Sequence, residues 1–413
     1  MRPTHYTVAM SFDALADGVS PKFGHAARSY WPLAPELLNL NHGTVGVTPI
    51  AVMAEQRRIM DEIEREPARF LLRELAPHQR GSRLARPRLR AAAAEVATFI
   101  NARPEDVVFL DNITVGANAV LRSFPFERGD EILVTDLGYG AVTYSAQYAA
   151  SLCGATVRTV EMPFPITNAE DIVSTWVHAI GPRTRLAIVD HITSASAIVM
   201  PVKEIVAALQ ARDIAVFVDG AHAPGQLDLD VTAIGADWYA ANLHKWACAP
   251  RSCGFLWAAP DRQAVLRPTV TSWGYGQGFV AEFDHAGTRD PSPFLAAPAG
   301  IAFLKHLGLS ATWRYQRELA WNAAHILTTK WGTSLTAPRS MIAAMVTVPL
   351  PADAASSDDD VQSLRDSLLY DDRIEVQLHW WRGIAWARIC AQIYVEPGDV
   401  EQLADAVLRR ITR

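Results

Sequence analysis

Four short apolar runs in the central part of this 413-residue chain limit its fold more than any other feature. They cover residues 107–110, 132–135, 186–189 and 214–218. Continuous apolar strands are typical of a parallel sheet that is covered on both faces. Between the last two runs, Pro201 begins a helical pattern with its apolar residues on one side. This alternation predicts an α/β fold with a large, mainly parallel sheet.

The C-terminal part of the chain follows a different pattern. An acidic connector at residues 351–360 precedes a short helix, strand-like runs at 373–378 and 384–395, and a last helix with Asp399 as its N-cap. Helix, strands and helix indicate a small α+β domain. We therefore expect three parts: an N-terminal segment (1–40) that packs on the small domain, a large domain (41–300) and a small C-terminal domain (301–413).

Charge and composition exclude several classes of function. The net charge of −6 argues against nucleic acid as a partner. No apolar run approaches the roughly 18 residues that a membrane span needs, and the start lacks a signal pattern, so we expect a cytoplasmic protein. The four cysteines are too few for a disulfide framework and lack metal-ligand spacing, so we expect free thiols and no metal site.

Two segments have the pattern of opposite sides of one cofactor site. Asp219 ends the fourth apolar run in VDGAH (218–222), and Lys245 lies in HKWACAP (244–250). Ligands of open α/β sheets bind beyond the carboxyl ends of the strands. A lysine in apolar surroundings forms a Schiff base with pyridoxal 5′-phosphate (PLP), and a carboxylate pairs with the protonated pyridine nitrogen. His222 is a hydrogen-bond candidate for the ring 3′-oxygen, although a structural role is also open to it.

A phosphate site is expected where a helix begins after the first apolar run, with Ile113 and Thr114 at its start. Thr114 equally fits an ordinary helix cap. Tyr139 follows the second run, where its ring stacks on a planar cofactor or packs in the rim of the sheet. The GxG at residues 138–140 is followed by Thr143, so the dinucleotide fingerprint is incomplete and an NAD(P) oxidoreductase is disfavoured.

These residues resemble the class V aminotransferase family of fold-type I PLP-dependent enzymes, and within it the isopenicillin N epimerase-like branch. The resemblance extends from LNLNHGT (38–44) to ARICAQIY (387–394). It implies a fold-type I architecture with a large PLP-binding domain and a small C-terminal domain. It also implies a homodimer with two shared active sites and an amino-acid substrate.

By this resemblance, Lys245 is the catalytic Schiff-base lysine, and Arg388 binds the substrate carboxylate, for which a bidentate guanidinium is suited. Asn41 and His42 are expected to line the mouth of the site and bind substrate. The expected cofactor-binding residues are Asp219, His222, His244, Ile113, Thr114, Tyr139, Thr193 and Thr288, and by the resemblance the last comes from the neighbouring subunit.

The resemblance leaves the reaction open. Residues 332–377 contain no cysteine, which disfavours the persulfide mechanism of the related cysteine desulfurases. We expect a lyase that cleaves the Cβ–S bond of a cysteine-derived conjugate, in secondary metabolism. The alternatives are an amino-acid epimerase, then a decarboxylating deaminase or an aminotransferase, and a catalytically inactive scaffold. The motifs do not identify the substrate, the pathway or any oligomer beyond a dimer.

Overall fold

The computed structural model describes residues 22–77 and 82–411. Its strands, in chain order, are β1 (Leu38–Asn39), β2 (Val107–Leu110), β3 (Glu131–Thr135), β4 (Thr156–Val160), β5 (Thr184–Asp190), β6 (Ala215–Asp219), β7 (Trp238–Asn242), β8 (Gly254–Ala258), β9 (Met345–Pro349), β10 (Ile374–Glu375), β11 (Gln377–Trp381) and β12 (Ile384–Cys390).

The helices are α1 (His42–Val45), α2 (Ile50–Arg65), α3 (Pro67–Arg69), α4 (Arg88–Phe99), α5 (Ile113–Ser123), α6 (Gly140–Cys153), α7 (Ala169–His178), α8 (Val202–Gln210), α9 (Val231–Ile234), α10 (Phe279–Asp284), α11 (Ser292–Leu295), α12 (Ala297–Leu307), α13 (Leu309–Trp331), α14 (Asp358–Tyr370) and α15 (Pro397–Ile411). Short 3₁₀ or π turns connect some of them.

A seven-stranded sheet forms the centre of the molecule, in the order β2-β8-β7-β6-β5-β3-β4. Strands β7, β6, β5, β3 and β4 are parallel, whereas β8 is antiparallel to both of its neighbours. All four predicted runs are strands of this sheet, and they are almost entirely buried. The predicted large, mainly parallel sheet is therefore confirmed.

A second, three-stranded antiparallel sheet is formed by β11, β12 and β9, and α13 and α15 pack against each other beside it. This arrangement confirms the predicted small α+β part. Two details differ from the prediction. Helix α14 already begins inside the acidic connector, and α15 begins at Pro397, so Asp399 lies in its first turn. The Asp399 carboxylate accepts the Glu396 N–H instead of capping the helix as its N-cap.

The segment before the large sheet contacts the C-terminal part. The Gly24 N–H donates to the Ile393 carbonyl at 2.7 Å. Strand β1 pairs with β10, which places Asn41 and the residues after it at the junction of the two sheets. The expected segment 1–40 begins with residues that lie outside the described ones. The boundaries at 40 and 300 stay predictions.

In the described part of the chain, no single helix is long and apolar enough to cross a membrane. Residues 292–307 and α13 have the length and apolar composition of a membrane span only when they are taken together, and the chain bends by 78° between them.

Candidate active site

Lys245 lies in the loop between β7 and β8, and it is half-buried. Its Nζ is 3.2 Å from His222 Nε2. Burial, and next the Arg388 charge, lower the pKa of the lysine to about 8, while Asp219 opposes the shift. At pH 7 about a tenth of Lys245 is therefore an uncharged amine, the form that a nucleophile or a general base needs, whereas an ordinary lysine is almost fully charged.

Asp219 ends β6, and Asp190 ends the neighbouring strand β5 in the same register. The Asp219 Oδ1 accepts the Ala221 N–H at 2.9 Å, whereas Oδ2 is buried and has no partner among the described residues. Burial raises the pKa of Asp219 to about 6. Burial, and next the Asp219 charge, raise the pKa of Asp190 well above its ordinary value. The carboxyl groups of Asp190 and Asp219 are thus neighbours, both buried at the ends of two adjacent strands.

His222 follows Asp219 and is 1 % exposed. Burial is the main cause that lowers its pKa well below the ordinary value, with Lys245 next, so the ring is neutral. Its Nδ1 has no hydrogen-bond partner in the part of the chain that the structure describes. His244 Nδ1 donates to the Cys253 carbonyl at 2.9 Å, and burial lowers the pKa of His244 to about 4. Because a carbonyl only accepts, the neutral His244 ring carries its proton on Nδ1.

The start of α5 forms another side of the site. Asn112 caps this helix by accepting the Val115 N–H at 3.1 Å, and the Ile113 N–H donates to Asn242 Oδ1 at 2.9 Å. Asn242 is the last residue of β7, so the helix start is tied to the sheet edge. Thr114 lies in the first turn, a position whose backbone N–H has no partner within the helix and suits an anion.

One cavity of about 220 Å³ collects these groups. The predicted residues that line it are Ile113, Thr114, Tyr139, Asp219, His222, His244 and Lys245. The lining residues that were not singled out as site residues are Thr44, Asn112, Asp190, Ile192, Ser194, Ala221 and Asn242. Two of these residues could have been identified from their sequence patterns. Asp190 ends an apolar run as Asp219 does, and Asn112 precedes a helical pattern as a typical N-cap.

Four other predicted residues do not line this cavity. The Thr193 hydroxyl bonds within its own turn, to Ser196 at 2.7 Å and the Ile198 N–H at 2.8 Å, so Ser194 takes the expected place at the cavity. His42 and Asn41 lie behind the lining and are buried. Thr288 lines a separate cavity of about 240 Å³ with Leu71, Leu72 and Phe294, among others.

Arg388, the fifth, lies on β12 just behind Thr44 and Ser194. It donates from Nη1 to the Ser194 carbonyl at 2.6 Å and from Nη2 to Asn41 Oδ1 at 3.0 Å and Thr44 Oγ1 at 2.7 Å. Three hydrogen bonds thus fix the guanidinium at the edge of the site, and its buried Nε–H has no acceptor among the described residues.

The unused polar atoms fit PLP. Asp219 Oδ2 is a free acceptor suited to a protonated pyridine nitrogen, and His222 Nδ1 is a second free polar atom beside Lys245. Leaving such buried atoms unpaired costs about 1–3 kcal/mol each, a cost that a polar ligand removes. The start of α5 offers the Thr114 hydroxyl and N–H for a phosphate, because the Ile113 and Val115 N–H groups are already bonded. The arrangement can therefore hold the cofactor and place an amine beside its ring.

Comparisons with known proteins agree with this geometry. The family model for aminotransferase class-V matches residues 38–369. A probable chloroplastic L-cysteine desulfhydrase from Arabidopsis thaliana is 33 % identical over 402 residues, which cover 90 % of this chain and 82 % of the relative. An isopenicillin N epimerase from Streptomyces clavuligerus is 34 % identical over 400 residues, which cover 92 % and 96 %.

Among solved structures, a K223A mutant of C-DES with glycine covalently linked to its PLP cofactor has a TM-score of 0.76. The two sequences are 20 % identical, and the match covers 92 % of this chain and 98 % of the other. At this identity the likeness concerns the fold, and it places the chain in the fold type that the resemblance predicted.

Proposed function

Because the chain belongs to the aminotransferase class-V family, we propose that it is a PLP-dependent lyase that cleaves the Cβ–S bond of a cysteine-derived amino acid. One observation carries the proposal: Lys245 Nζ, Asp219 Oδ2 and His222 Nδ1 meet in one buried cavity, and the last two lack partners among the described residues. The 33 % identity to a protein named as an L-cysteine desulfhydrase supports the choice of bond.

In this proposal, PLP supplies an electron sink for negative charge at the substrate Cα. Asp219 holds the pyridine proton, His222 and Tyr139 contact the ring, and Thr114, Ile113 and His244 hold the phosphate end. Lys245 is the covalent attachment point and then the base for the Cα proton, because burial lowers its pKa to about 8. Arg388 binds the α-carboxylate through its unused Nε and by exchanging one of its present acceptors. The overall reaction takes up water and releases a thiol, pyruvate and ammonia.

The first test of the cofactor is spectroscopic. We expect the purified protein with PLP to be yellow and its absorption band to disappear in Lys245→Ala, because the attachment point is lost. Lys305→Ala, at an exposed lysine near the end of α12, is a control that keeps the band. A colourless protein that does not respond to added PLP contradicts the proposal.

A second candidate, epimerisation at Cα, is favoured by the 34 % identity to a protein named as isopenicillin N epimerase. Epimerisation needs a proton to return on the opposite face, and Tyr139 is a lining residue with an exchangeable proton. Incubation with cysteine conjugates and with single-enantiomer amino acids in deuterated water separates the two. Pyruvate and thiol support the lyase, whereas deuterium at Cα with inversion, lost in Tyr139→Phe, supports the epimerase. Release of CO₂ without either contradicts both.

We also propose the expected homodimer with shared sites. Thr288 and the apolar Leu71 and Leu72 border a cavity apart from that of Lys245, and Leu72 is 63 % exposed. A second copy that covers this surface brings its Thr288 to the phosphate end of the first. Mixing subunits with Lys245→Ala and Thr288→Val should restore activity in one site of each heterodimer. If the mixture is no more active than its parts, Thr288 does not act across the interface.

The conjugate, a place in secondary metabolism and a cytoplasmic location stay predictions. One of the relatives is itself named as chloroplastic.

A further inference from the structure

The short turn at residues 41–46 contacts both ends of the candidate site. On one side, Asn41 Oδ1 and Thr44 Oγ1 accept hydrogen bonds from Arg388 Nη2 at 3.0 and 2.7 Å. The Thr44 hydroxyl donates in turn to Asn41 Oδ1 at 2.6 Å. Asn41 Nδ2 donates to Glu375 Oε1 at 2.6 Å, which fixes the amide orientation. These contacts hold the arginine that the proposed function assigns to the substrate carboxylate.

On its other side, the same turn lies against the backbone of Lys245. His42 Nε2 is 3.2 Å from the Lys245 carbonyl oxygen. Gly46, with φ of +68°, lies so close to the His244–Lys245 peptide that a Cβ there would overlap the His244 carbonyl. The Gly46 carbonyl accepts from Arg251 Nη2 at 3.0 Å. The turn therefore packs directly on the peptide that carries the attachment lysine.

The hydrogen bonds around His42 have one consistent direction. A carbonyl only accepts, so Nε2 must carry a proton in its bond to Lys245. Burial lowers the pKa of His42 to about 4, so the ring is neutral and Nδ1 is bare. Nδ1 then accepts from the Tyr394 hydroxyl at 3.2 Å, whose oxygen accepts from Asn39 Nδ2 at 3.0 Å.

This chain of donors is buried and packed. His42 and Tyr394 are each 1 % exposed, and Asn39 is 6 % exposed. The His42 ring lies 5.1 Å from that of Trp246, the residue after the lysine. Asn39, Tyr394 and Lys245 belong to β1, to the segment after β12 and to the loop after β7, so His42 joins three distant parts of the chain.

We propose that His42, fixed as its Nε2–H tautomer by Tyr394 and Asn39, is a positioning residue that orients Lys245 through the lysine's backbone carbonyl. The turn at 41–46 thereby couples Lys245 to Arg388: His42 and Gly46 hold the lysine, and Asn41 and Thr44 hold the arginine. The role rests on the proposed function, and it replaces the expected direct contact of Asn41 and His42 with substrate.

Three substitutions separate the hydrogen bond from the packing. His42→Phe keeps a ring beside Trp246 but loses the donor to Lys245. His42→Gln places an amide N–H near the former Nε2 and restores the donor. Tyr394→Phe removes only the hydroxyl that selects the tautomer. His178→Phe and Tyr370→Phe, on exposed parts of helices, are the matched controls.

Two readouts test the role on the PLP-loaded protein. His42→Phe should lower kcat about tenfold, the effect of one lost buried hydrogen bond, with KM little changed and the pH midpoint of the cofactor absorbance shifted. His42→Gln should recover most of both. Asn41→Ala should instead raise KM and leave the cofactor spectrum unchanged. Wild-type kcat and pH midpoint in His42→Phe overturn the proposal, as does a His42→Gln variant no better than His42→Phe.

A third readout does not depend on the reaction. Nitrogen-15 NMR of histidine-labelled protein, assigned by loss of one signal in His42→Gln, should show a neutral Nε2–H tautomer for His42. Tyr394→Phe should alter that signal, and Tyr370→Phe should not. A Nδ1–H tautomer or a charged ring overturns the proposal. If the wild-type protein binds no PLP, the proposed function fails, while the tautomer still decides whether the hydrogen-bond chain exists.

Discussion

Replacing Asp219 by asparagine should make the PLP-free protein more stable at neutral pH. Burial raises the pKa of this carboxyl from 3.8 to about 6. Between these values the folded protein binds more protons than the unfolded chain, so its stability falls as the pH rises through this window. The difference of about 2 pKa units corresponds to about 3 kcal/mol. Asparagine carries no charge to desolvate, and its Oδ1 still accepts the Ala221 N–H.

The assay is the thermal midpoint of PLP-free protein between pH 4 and 7.5. With about 2.1 cal/mol/K of unfolding entropy per residue over 413 residues, 3 kcal/mol corresponds to about 3–4 °C. The thermal midpoint of Asp219→Asn should rise above that of wild type by this amount as the pH rises, whereas that of Asp228→Asn, at an exposed position, should not. With PLP bound the order should reverse, because the variant loses the partner of the pyridine nitrogen. A midpoint difference that does not depend on pH refutes the reasoning.

Three further changes have distinct signatures. Gly46→Ala should lower the melting temperature and weaken PLP binding, because its Cβ overlaps the His244 carbonyl; Gly332→Ala, at nearly the same φ but in open space, should cost only about 1 kcal/mol. Asp190→Asn should raise the thermal midpoint of the PLP-free protein relative to wild type as the pH rises, because burial and the Asp219 charge raise the pKa of Asp190 and disfavour its carboxylate. Arg388→Lys should raise KM and leave the PLP absorbance unchanged, because one ammonium cannot keep three acceptors and bind a carboxylate as well.

The large sheet could be predicted where its strands are buried on both faces. The run at 107–110 coincides with β2, and the other three runs differ from their strands by one or two residues at an end. Strand β4 was not predicted, because it forms the sheet edge and exposes most of its residues. Its sequence TVRTV therefore has no continuous apolar run. The antiparallel direction of β8 also has no local signal, since direction depends on which distant strand it pairs with.

In the candidate site, too, residues that belong to local motifs could be predicted, and residues placed by distant contacts could not. Asp219, Lys245 and Thr114 could be predicted because each belongs to a local motif: a strand end, an apolar loop or a helix start. The positions of Asn242 and Ser194 depend on contacts between segments far apart in sequence. His42 shows the limit most clearly. Its motif identified it as a site residue, but only the folded chain shows that both ring nitrogens are engaged by Tyr394 and Lys245.

The proton chemistry of the cavity favours elimination over epimerisation. Among the residues described as lining it, His222 and His244 are kept neutral by lowered pKa values, and the raised pKa of Asp190 disfavours its proton-accepting form. The proposal assigns Asp219, with a pKa of about 6, to the pyridine nitrogen, so Lys245, with a pKa of about 8, is the lining group left to take up a proton and release it again near neutral pH. Elimination needs one such base, because the sulfur leaves with its own electron pair. Epimerisation needs a second proton donor on the opposite face of Cα, and Tyr139, the candidate for that donor, is 42 % exposed and so accessible to water.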